Sequence, residues 1–200
     1  MGERTGRAAR PDGPGLPVSR AIAGDSESFG ELMGAYHGRI FAMVYSRIMS
    51  RMDAEDITQD VFASAFRAIG TLRDPELFRP WLYRIAINTV NDFLRKKRLR
   101  SIFTLFSAGE EDREYADPNP EPDHLERKEF WKRLAAFFSR LPASEREVFR
   151  LKYLDGLSIR EIAEVLSKNE STVKTHLYRG VEKFRREEDL AGLLEGKCHE

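Results

Sequence analysis

The stretch that decides the fold is LPASEREVFRLKYLDGLSIREIAEVLSKNESTVKTHLYRGVEKFRR, residues 141–186. Ser144 with Glu147 and Ser158 with Glu161 have the spacing of two capping boxes. In such a box the serine accepts from the third helical amide and the glutamate side chain reaches back to the cap. The pattern therefore predicts helices that begin at both serines.

The remainder of this stretch predicts a helix-turn-helix. Gly156 can adopt the left-handed conformation that ends a helix, so the first helix is predicted to stop at Asp155-Gly156. The second helix spans about 159–166, residues 167–169 form a short turn, and the third helix spans about 170–186. The apolar residues of this third helix recur at spacings of four, four and three: Val173, Leu177, Val181 and Phe184.

The opposite face of the third helix carries hydroxyls, amphipathic rings and cations. These are Ser171, Thr172, Lys174, Thr175, His176, Tyr178 and Arg179. Such a face can contact base edges and phosphates in a major groove. An ordinary solvated helix face is the alternative, but the two caps and the short turn favour DNA binding.

Composition and charge limit the classes of protein to which the chain can belong. Lysine plus arginine and aspartate plus glutamate each number 33 among 200 residues, so the net charge does not indicate a nucleic-acid partner. The charges are segregated, with a basic block at 95–100 and an acidic segment at 110–129. Cys198 is the only cysteine, and we find neither a long apolar run nor a signal-peptide core. We expect a soluble, cytoplasmic protein.

The N-terminal half is predicted to begin with a disordered arm, residues 1–24, because this segment is rich in glycine and proline. Apolar residues then recur at threes and fours from Asp25 or Ser26 to position 48, as one helix or as two broken near Gly38. Asp53 is predicted to cap the next helix, residues 54–69.

The start of that helix is strongly acidic. Asp53, Glu55, Asp56, Gln59 and Asp60 precede an exposed edge predicted for Phe62. Acids in a first turn complement the helix dipole, which is a purely local explanation. The same residues could form a protein-docking surface, and the sequence physics alone leaves the two explanations equal.

A loop at 70–80, with Pro75 and Pro80 as helix breakers, leads into a third segment, FRPWLYRIAINTVNDFLRKKR, residues 78–98. Cations, amides and a tryptophan interleave along it: Trp81, Arg84, Asn88, Asn91, Arg95, Lys96 and Lys97. Cations meet phosphates and rings meet splayed bases in single-stranded DNA complexes. A core tryptophan on a helix with a basic end is the alternative, although the basic run is longer than a cap requires.

The sequence as a whole predicts an all-α protein of two helical domains joined by a flexible linker. The boundaries are an arm at 1–24, a domain at 25–98, an acidic, proline-containing linker at 99–124, a helix-turn-helix domain at 125–188 and a tail at 189–200. Apolar residues at 102–106 (IFTLF) are more than a bare tether needs, which suggests a partner that buries them.

Catalytic and metal motifs are absent from the sequence. The four histidines are scattered, and the chain contains no phosphate-binding loop, dinucleotide fingerprint or nucleophile elbow. We expect no enzymatic activity, no cofactor, no metal and no small-molecule substrate.

Two motifs in this order resemble region 2 and region 4 of bacterial sigma factors. DAEDITQDVFASAFR (53–67) and the segment 78–98 resemble region 2, whereas 141–186 resembles region 4. With only a linker between them, the chain resembles the group 4, extracytoplasmic-function (ECF) type over about residues 25–186.

The resemblance implies a role in promoter-specific, stress-responsive transcription initiation. Asp53, Glu55, Asp56, Gln59, Asp60 and Phe62 would bind the clamp of the largest core RNA polymerase subunit, and the flap of the second-largest subunit is a further implied partner. Trp81, Arg84, Asn88, Arg95, Lys96 and Lys97 would bind the minus-10 element, with Asn88 near an extruded base. Ser171, Thr172, Lys174, Thr175, His176, Tyr178 and Arg179 would bind the minus-35 element. The linker would thread the polymerase channel.

The family also implies an anti-sigma factor, often membrane-bound, which would hold the protein at the inner face of the membrane. Glu170-Ser171 departs from the small residue and glycine of many members, so the minus-35 sequence is not predicted. We expect no regulatory domain after the tail. The alternatives are a LuxR-type helix-turn-helix activator, against which residues 53–97 argue, and a sigma-like decoy that binds polymerase or an anti-sigma factor without reading promoters.

Overall fold

The computed structural model describes residues 17–106 and 133–187, with side chains for 17–100 and 133–187. Backbone contacts divide the chain into two compact units, Met1–Gly109 and Glu110–Glu200. Every regular element of the described residues is helical, in agreement with the predicted all-α class. No described helix is long and apolar enough to span a membrane.

Residues 17–106, the described part of the first unit, form four α-helices and two short 3-10 turns. They are α1 Val18–Ile22, α2 Ser26–Ile48, α3 Arg51–Ala68, the turns Ile69–Thr71 and Pro75–Leu77, and α4 Phe78–Phe106. Helices α2, α3 and α4 pack on one another in all three pairings. The core residues that are completely enclosed include Ile40 and Val44 of α2, Ala54, Val61 and Ala65 of α3, and Leu82 and Ala86 of α4.

The prediction of a disordered arm is wrong for its last residues, because α1 lies within the predicted arm. Val18 and Ala21 are buried, and the Arg20 Nε donates to the Ser28 hydroxyl at 2.8 Å. Two buried apolar side chains and one side-chain hydrogen bond thus order this segment. The glycine and proline content of the arm as a whole did not indicate these interactions. Residues 1–16 lie outside the described residues.

Helix α2 is one continuous helix, which is the first of the two predicted alternatives, and no break occurs near Gly38. Asp25 is its N-cap and accepts from the Glu27 amide at 3.1 Å and from the Ser28 hydroxyl at 2.5 Å. The Ser28 hydrogen bond is the main reason that the pKa of Asp25 lies below its ordinary value. The helix ends at Ile48, and Met49 takes the left-handed conformation with φ of 58°.

Helix α3 begins three residues earlier than predicted, and Asp53 is not its cap. Ser50 is the N-cap and its hydroxyl accepts from the Asp53 amide at 3.4 Å. Serine and aspartate both cap well, so local preference alone did not distinguish the two starts. Asp53 therefore lies inside the first turn, where its charge still complements the helix dipole.

Helix α4 corrects the predicted loop and linker at its two ends. Pro80 does not break the helix, because it sits in the first turn, where an amide has no intrahelical acceptor. The helical backbone continues to Phe106, so the linker predicted from residue 99 is wrong for 99–106. The rest of that linker, 107–124, lies outside the described residues.

The second unit is built from α5, residues 133–140 of the described chain, α6 Ala143–Tyr153, α7 Ile159–Leu166 and α8 Glu170–Arg185. Its core is a cluster of aromatic and leucine side chains, Leu134, Phe137, Phe138, Leu141 and Phe149, with Leu154, Val181 and Phe184 packed against it. The tail predicted at 189–200 lies outside the described residues.

The capping box predicted at Ser144 is wrong. Helix α6 starts at Ala143 after Pro142, and no side chain caps it. The ring of Pro142 fixes φ near a value that suits the start of a helix. The helix therefore starts before Ser144. The predicted end of this helix is close to the observed one, since α6 stops at Tyr153 and Gly156 has a φ of 68°.

Gly34→Ala is predicted to stabilise the first unit. Gly34 is exposed within α2 and a Cβ there would meet nothing within 4 Å. Alanine has the higher helix propensity, so we expect a gain of about 0.5–1 kcal/mol in the free energy of unfolding. Gly24→Ala is the control, because φ of +98° strains an L-residue and should lower the same free energy. Urea unfolding followed by circular dichroism measures both; equal shifts would contradict the backbone argument.

Candidate functional site

The helix-turn-helix is formed by α7, residues 167–169 and α8. The capping box predicted at Ser158 is confirmed: Ser158 N–H donates to Glu161 at 2.7 Å, and Glu161 N–H donates to the serine hydroxyl at 3.2 Å. Ser167 takes the left-handed conformation at the end of α7. Asn169 caps α8 by accepting from the Thr172 amide at 2.7 Å. Local hydrogen bonds thus define both ends of the turn.

The buried side of α8 is the one that the sequence predicts. Val173 is completely enclosed, and Val181 and Phe184 pack on the aromatic cluster. Gly180 is also buried, and a Cβ at this position would lie 3.3 Å from Phe149 Cδ2. Helix α8 therefore crosses close to α6, and its opposite face is directed to solvent.

The solvent side of α8 carries most of the predicted minus-35 residues. Tyr178 is 72% exposed, and Ser171, Lys174, Thr175 and Arg179 are also exposed. Glu170 lies 3.6 Å from the Lys174 ammonium, and the Thr175 hydroxyl donates to the Ser171 carbonyl at 3.0 Å. Thr172 is only half-buried, with its amide occupied by the cap.

His176 differs from the rest of the predicted face. Its ring is half-buried, and its Nδ1 is enclosed without a hydrogen-bond partner among the described residues. The other ring nitrogen, Nε2, is therefore the one available to a partner. Helical periodicity placed His176 on the polar face, whereas packing leaves it at the margin.

A partly buried ion pair ties α8 to α6. The Lys183 ammonium lies 2.7 Å from the Glu145 carboxylate, whose side chain is 7% exposed. Arg140 and Glu187 form a second pair at 2.7 Å. Sequence analysis did not identify Glu145, since a glutamate in a first turn has a sufficient local explanation in the helix dipole.

The acidic face predicted on α3 is largely exposed. Glu55, Asp56, Gln59 and Asp60 lie at the surface and Asp53 is half-buried. Glu55 is paired with Arg51 at 3.1 Å, whereas no ion pair to Asp56 or Asp60 occurs within the described ranges. The exposed edge predicted for Phe62 is wrong, since its side chain is 5% exposed and belongs to the core.

A groove of about 520 Å³ opens between α2 and α3 beside these acids. Its lining includes Phe29, Met33, His37, Gln59, Phe62 and Phe66. His37 stacks on Phe62 with ring centroids 6.1 Å apart, and Phe66 is 51% exposed. Sequence analysis missed the groove. The available signal was that Met33 and Phe66 are apolar residues additional to those that one core-facing stripe requires.

The predicted minus-10 residues follow α4 from its packed start to its exposed end. Trp81 is half-buried against Phe78, with ring centroids 5.9 Å apart, and Arg84 is half-buried. Asn88, Lys96 and Lys97 are exposed. Asn91 and Arg95 are exposed too, and Asp92 accepts from Arg95 at 3.1 Å. Metal-type clusters of His, Cys, Asp or Glu are absent from the part of the chain that the structure describes.

The fold and the comparisons with protein families place the chain among the sigma-70 proteins. The Sigma-70 region 2 family matches residues 32–100, and the Sigma-70 region 4 family matches residues 131–184. SigW of Bacillus subtilis, an ECF RNA polymerase sigma factor, is 32% identical over 175 residues, which cover 85% of this chain and 94% of SigW. The chain belongs to the ECF sigma factors, which are proteins of transcription initiation.

Other relatives agree with this membership. BldN, the ECF sigma factor of Streptomyces coelicolor, is 36% identical over 176 residues, or 84% of this chain and 63% of BldN. Among solved structures, CnrH in complex with the cytosolic domain of CnrY has a TM-score of 0.63 at 25% identity and covers 90% of this chain and 96% of CnrH. RpoE of Bartonella quintana, in complex with the anti-sigma factor NepR, has a TM-score of 0.60 at 20% identity, covers 80% of this chain and 96% of RpoE, and shares the fold.

Lys183→Met is predicted to destabilise the second unit by about 1–3 kcal/mol, because the buried Glu145 carboxylate would lose its charged partner while Lys183 itself is partly solvated. Arg186→Met, at the C-cap of the same helix, is the matched control. Its partner Glu182 is exposed, so the change should be about 0–0.5 kcal/mol. Thermal unfolding of the full chain compares the stability of the two variants. Similar losses of stability would show that the Lys183–Glu145 pair contributes no more than an exposed pair.

Proposed function

We propose that this protein binds core RNA polymerase and directs initiation at promoters that carry a minus-10 and a minus-35 element. The observation that carries the proposal is the polar face of α8. The apolar side of α8 packs in the domain core, while Lys174, Tyr178 and Arg179 are exposed. The start of α8 is fixed by the Asn169 cap. Family membership supplies the polymerase context.

Residues of α3 form the proposed polymerase-docking surface: Asp53, Glu55, Asp56, Gln59 and Asp60, with Phe62 as its buried support. Asp56 and Asp60 lie one turn apart on the exposed side, and the groove beside them adds apolar side chains. An acidic rim beside an apolar groove suits a basic, amphipathic helical partner. We infer that the clamp of the largest polymerase subunit is this partner.

The proposed minus-10 surface lies on α4. Asn88 is exposed at the middle of the helix, where a base flipped out of the duplex can meet its amide. Lys96 and Lys97 are exposed further along the helix, where their ammonium groups can meet phosphates. Trp81 and Arg84 are half-buried, so we assign them to the edge of the surface, whereas Arg95 is exposed two turns from Asn88 on the same face.

The proposed minus-35 surface lies on α8. Lys174 and Arg179 supply cations, Ser171 and Thr175 supply hydroxyls, and Tyr178 supplies an exposed ring. Docking of α8 in a major groove would bring its N-terminal half to base edges. Thr172 would contact DNA through its hydroxyl and His176 through Nε2, because the Thr172 amide and the His176 Nδ1 are occupied or enclosed.

Regulation by a second protein is part of the proposal. CnrH is solved with the cytosolic domain of CnrY, and we expect this chain to have an anti-sigma partner of its own. A flap contact by region 4 is also proposed on family grounds. A LuxR-type activator is disfavoured, because the region 2 family covers the N-terminal unit.

Run-off transcription with purified bacterial core polymerase on sheared genomic DNA tests the function. We expect discrete, protein-dependent start sites that share two spaced upstream elements. Asp56→Ala with Asp60→Ala should lower polymerase affinity at least about tenfold, or about 1.4 kcal/mol, and abolish these starts with an unchanged melting temperature. Glu27→Ala with Glu31→Ala on α2 is the charge-matched control.

Each outcome separates the candidate functions. Binding of polymerase without starts would favour the decoy, and no binding at all would contradict the proposal. Undiminished affinity of the Asp56 and Asp60 variant would remove α3 from the docking surface while leaving the initiation function intact.

Lys174→Ala is predicted to weaken binding of the minus-35 duplex by about 1–3 kcal/mol if the ammonium contacts a base edge, and by less if it contacts phosphate. Its partner Glu170 is displaced in either case. Fluorescence anisotropy on a promoter duplex found by the run-off experiment measures the loss, and the salt slope distinguishes the two contacts. Lys152→Ala, on α6, is the control. Unchanged affinity would exclude Lys174 from the interface.

A further inference from the structure

The described methionines divide sharply by exposure. Met43 is 1% exposed in the core, whereas Met33 is 42%, Met49 is 44% and Met52 is 67% exposed. Oxidation of a thioether needs contact between its sulfur and the oxidant. Peroxide can therefore reach three of these side chains and is excluded from the fourth.

Met33 is the one of these three that lines the groove between α2 and α3. The groove brings it together with Phe29, Phe62 and Phe66, the aromatic surroundings that a polarizable thioether favours. Met49 has nearly the same exposure but lies in the left-handed turn after α2. The two side chains thus differ in location and hardly in access.

We propose that Met33 is a site of reversible oxidation that controls docking of this protein to polymerase, an inference that rests on the proposed function. The oxidant is a hydroperoxide such as hydrogen peroxide. The Met33 sulfur attacks one peroxide oxygen, the O–O bond breaks, and an S–O bond forms. The sulfide loses two electrons and becomes the sulfoxide, and the peroxide is reduced to water. A thiol-dependent methionine sulfoxide reductase reverses the step.

The physical effect is a change from an apolar to a strongly polar group in an aromatic groove. A sulfoxide oxygen is a good hydrogen-bond acceptor, and docking would strip its water. His37 and Gln59 line the same groove, but neither replaces the apolar contact that the thioether makes with a docked helix. Even where His37 or Gln59 donates to it, the sulfoxide oxygen must lose water and the apolar contact of the thioether is lost, so the oxidised protein should bind polymerase more weakly.

The experiment oxidises the full chain with hydrogen peroxide, removes the peroxide and then measures affinity for untreated core polymerase. All variants carry Cys198→Ser and Met52→Leu, so that thiol chemistry and the most exposed methionine do not contribute. Peptide mass mapping reports which methionines have gained oxygen, with Met43 as the internal reference for exclusion.

We expect oxidation at Met33 and Met49, and a fall of about tenfold in polymerase affinity. Met33→Leu should abolish this fall, and Met49→Leu should leave it unchanged. Met33→Gln, which places a polar group of similar length in the groove, should weaken binding without oxidant. Treatment with the two epimer-specific methionine sulfoxide reductases and a thiol, which is oxidised to the disulfide while the sulfoxide oxygen leaves as water, should restore the affinity of the oxidised parent.

Several results would overturn the inference. They are an unoxidised Met33, an oxidised Met33 with unchanged affinity, or equal sensitivity of the Met33→Leu and Met49→Leu variants. Failure of the untreated parent to bind polymerase would instead contradict the proposed function. Circular dichroism of Met33→Gln separates a docking defect from loss of folding, since that variant needs no oxidant.

Discussion

The division of α3 into two faces is the constraint on which the first unit depends. Ala54, Val61 and Ala65 are completely enclosed, and their small side chains let α3 pack closely on both α2 and α4. The helical period then directs the acids outward beside the groove. One helix therefore contributes to the core and to the proposed docking surface. An insertion or deletion within α3 would rotate the residues that follow it and so exchange buried for exposed positions.

A corresponding constraint acts in the second unit at the crossing of α6 and α8. Gly180 allows the backbones to approach, Phe149 fills the space beside it, and the Lys183–Glu145 pair adds a directional contact. The contact between Gly180 and Phe149 lies on the buried side of α8, whereas Lys174 and Arg179 are exposed, and Lys183 follows Arg179 by about one helical turn. The proposed DNA face is thus held by interactions that DNA binding need not disturb, in keeping with a preorganised recognition helix.

Sequence reasoning succeeded where a local signal had one dominant interpretation. The Ser158 capping box, the bounds of α7 and the apolar stripe of α8 follow from spacing alone. It failed where two local signals competed. Ser50 and Asp53 are both good caps, and Pro142 precedes Ser144 at the start of α6. The last residues of the predicted arm are helical because Val18 and Ala21 are buried against the rest of the unit. Tertiary contacts decided the last of these cases, through the burial of Val18 and Ala21.

By itself, the sequence determined the all-α class, the division into two helical units, the helix-turn-helix and the family. These properties are recorded in periodicity, caps and motif order, all of which act over a few residues. Only the tertiary structure decided that Phe62 is buried, that His176 is half-buried, and that Met33 and Phe66 share a groove. Burial at those positions depends on how neighbouring helices pack, and residues distant in the chain set that packing.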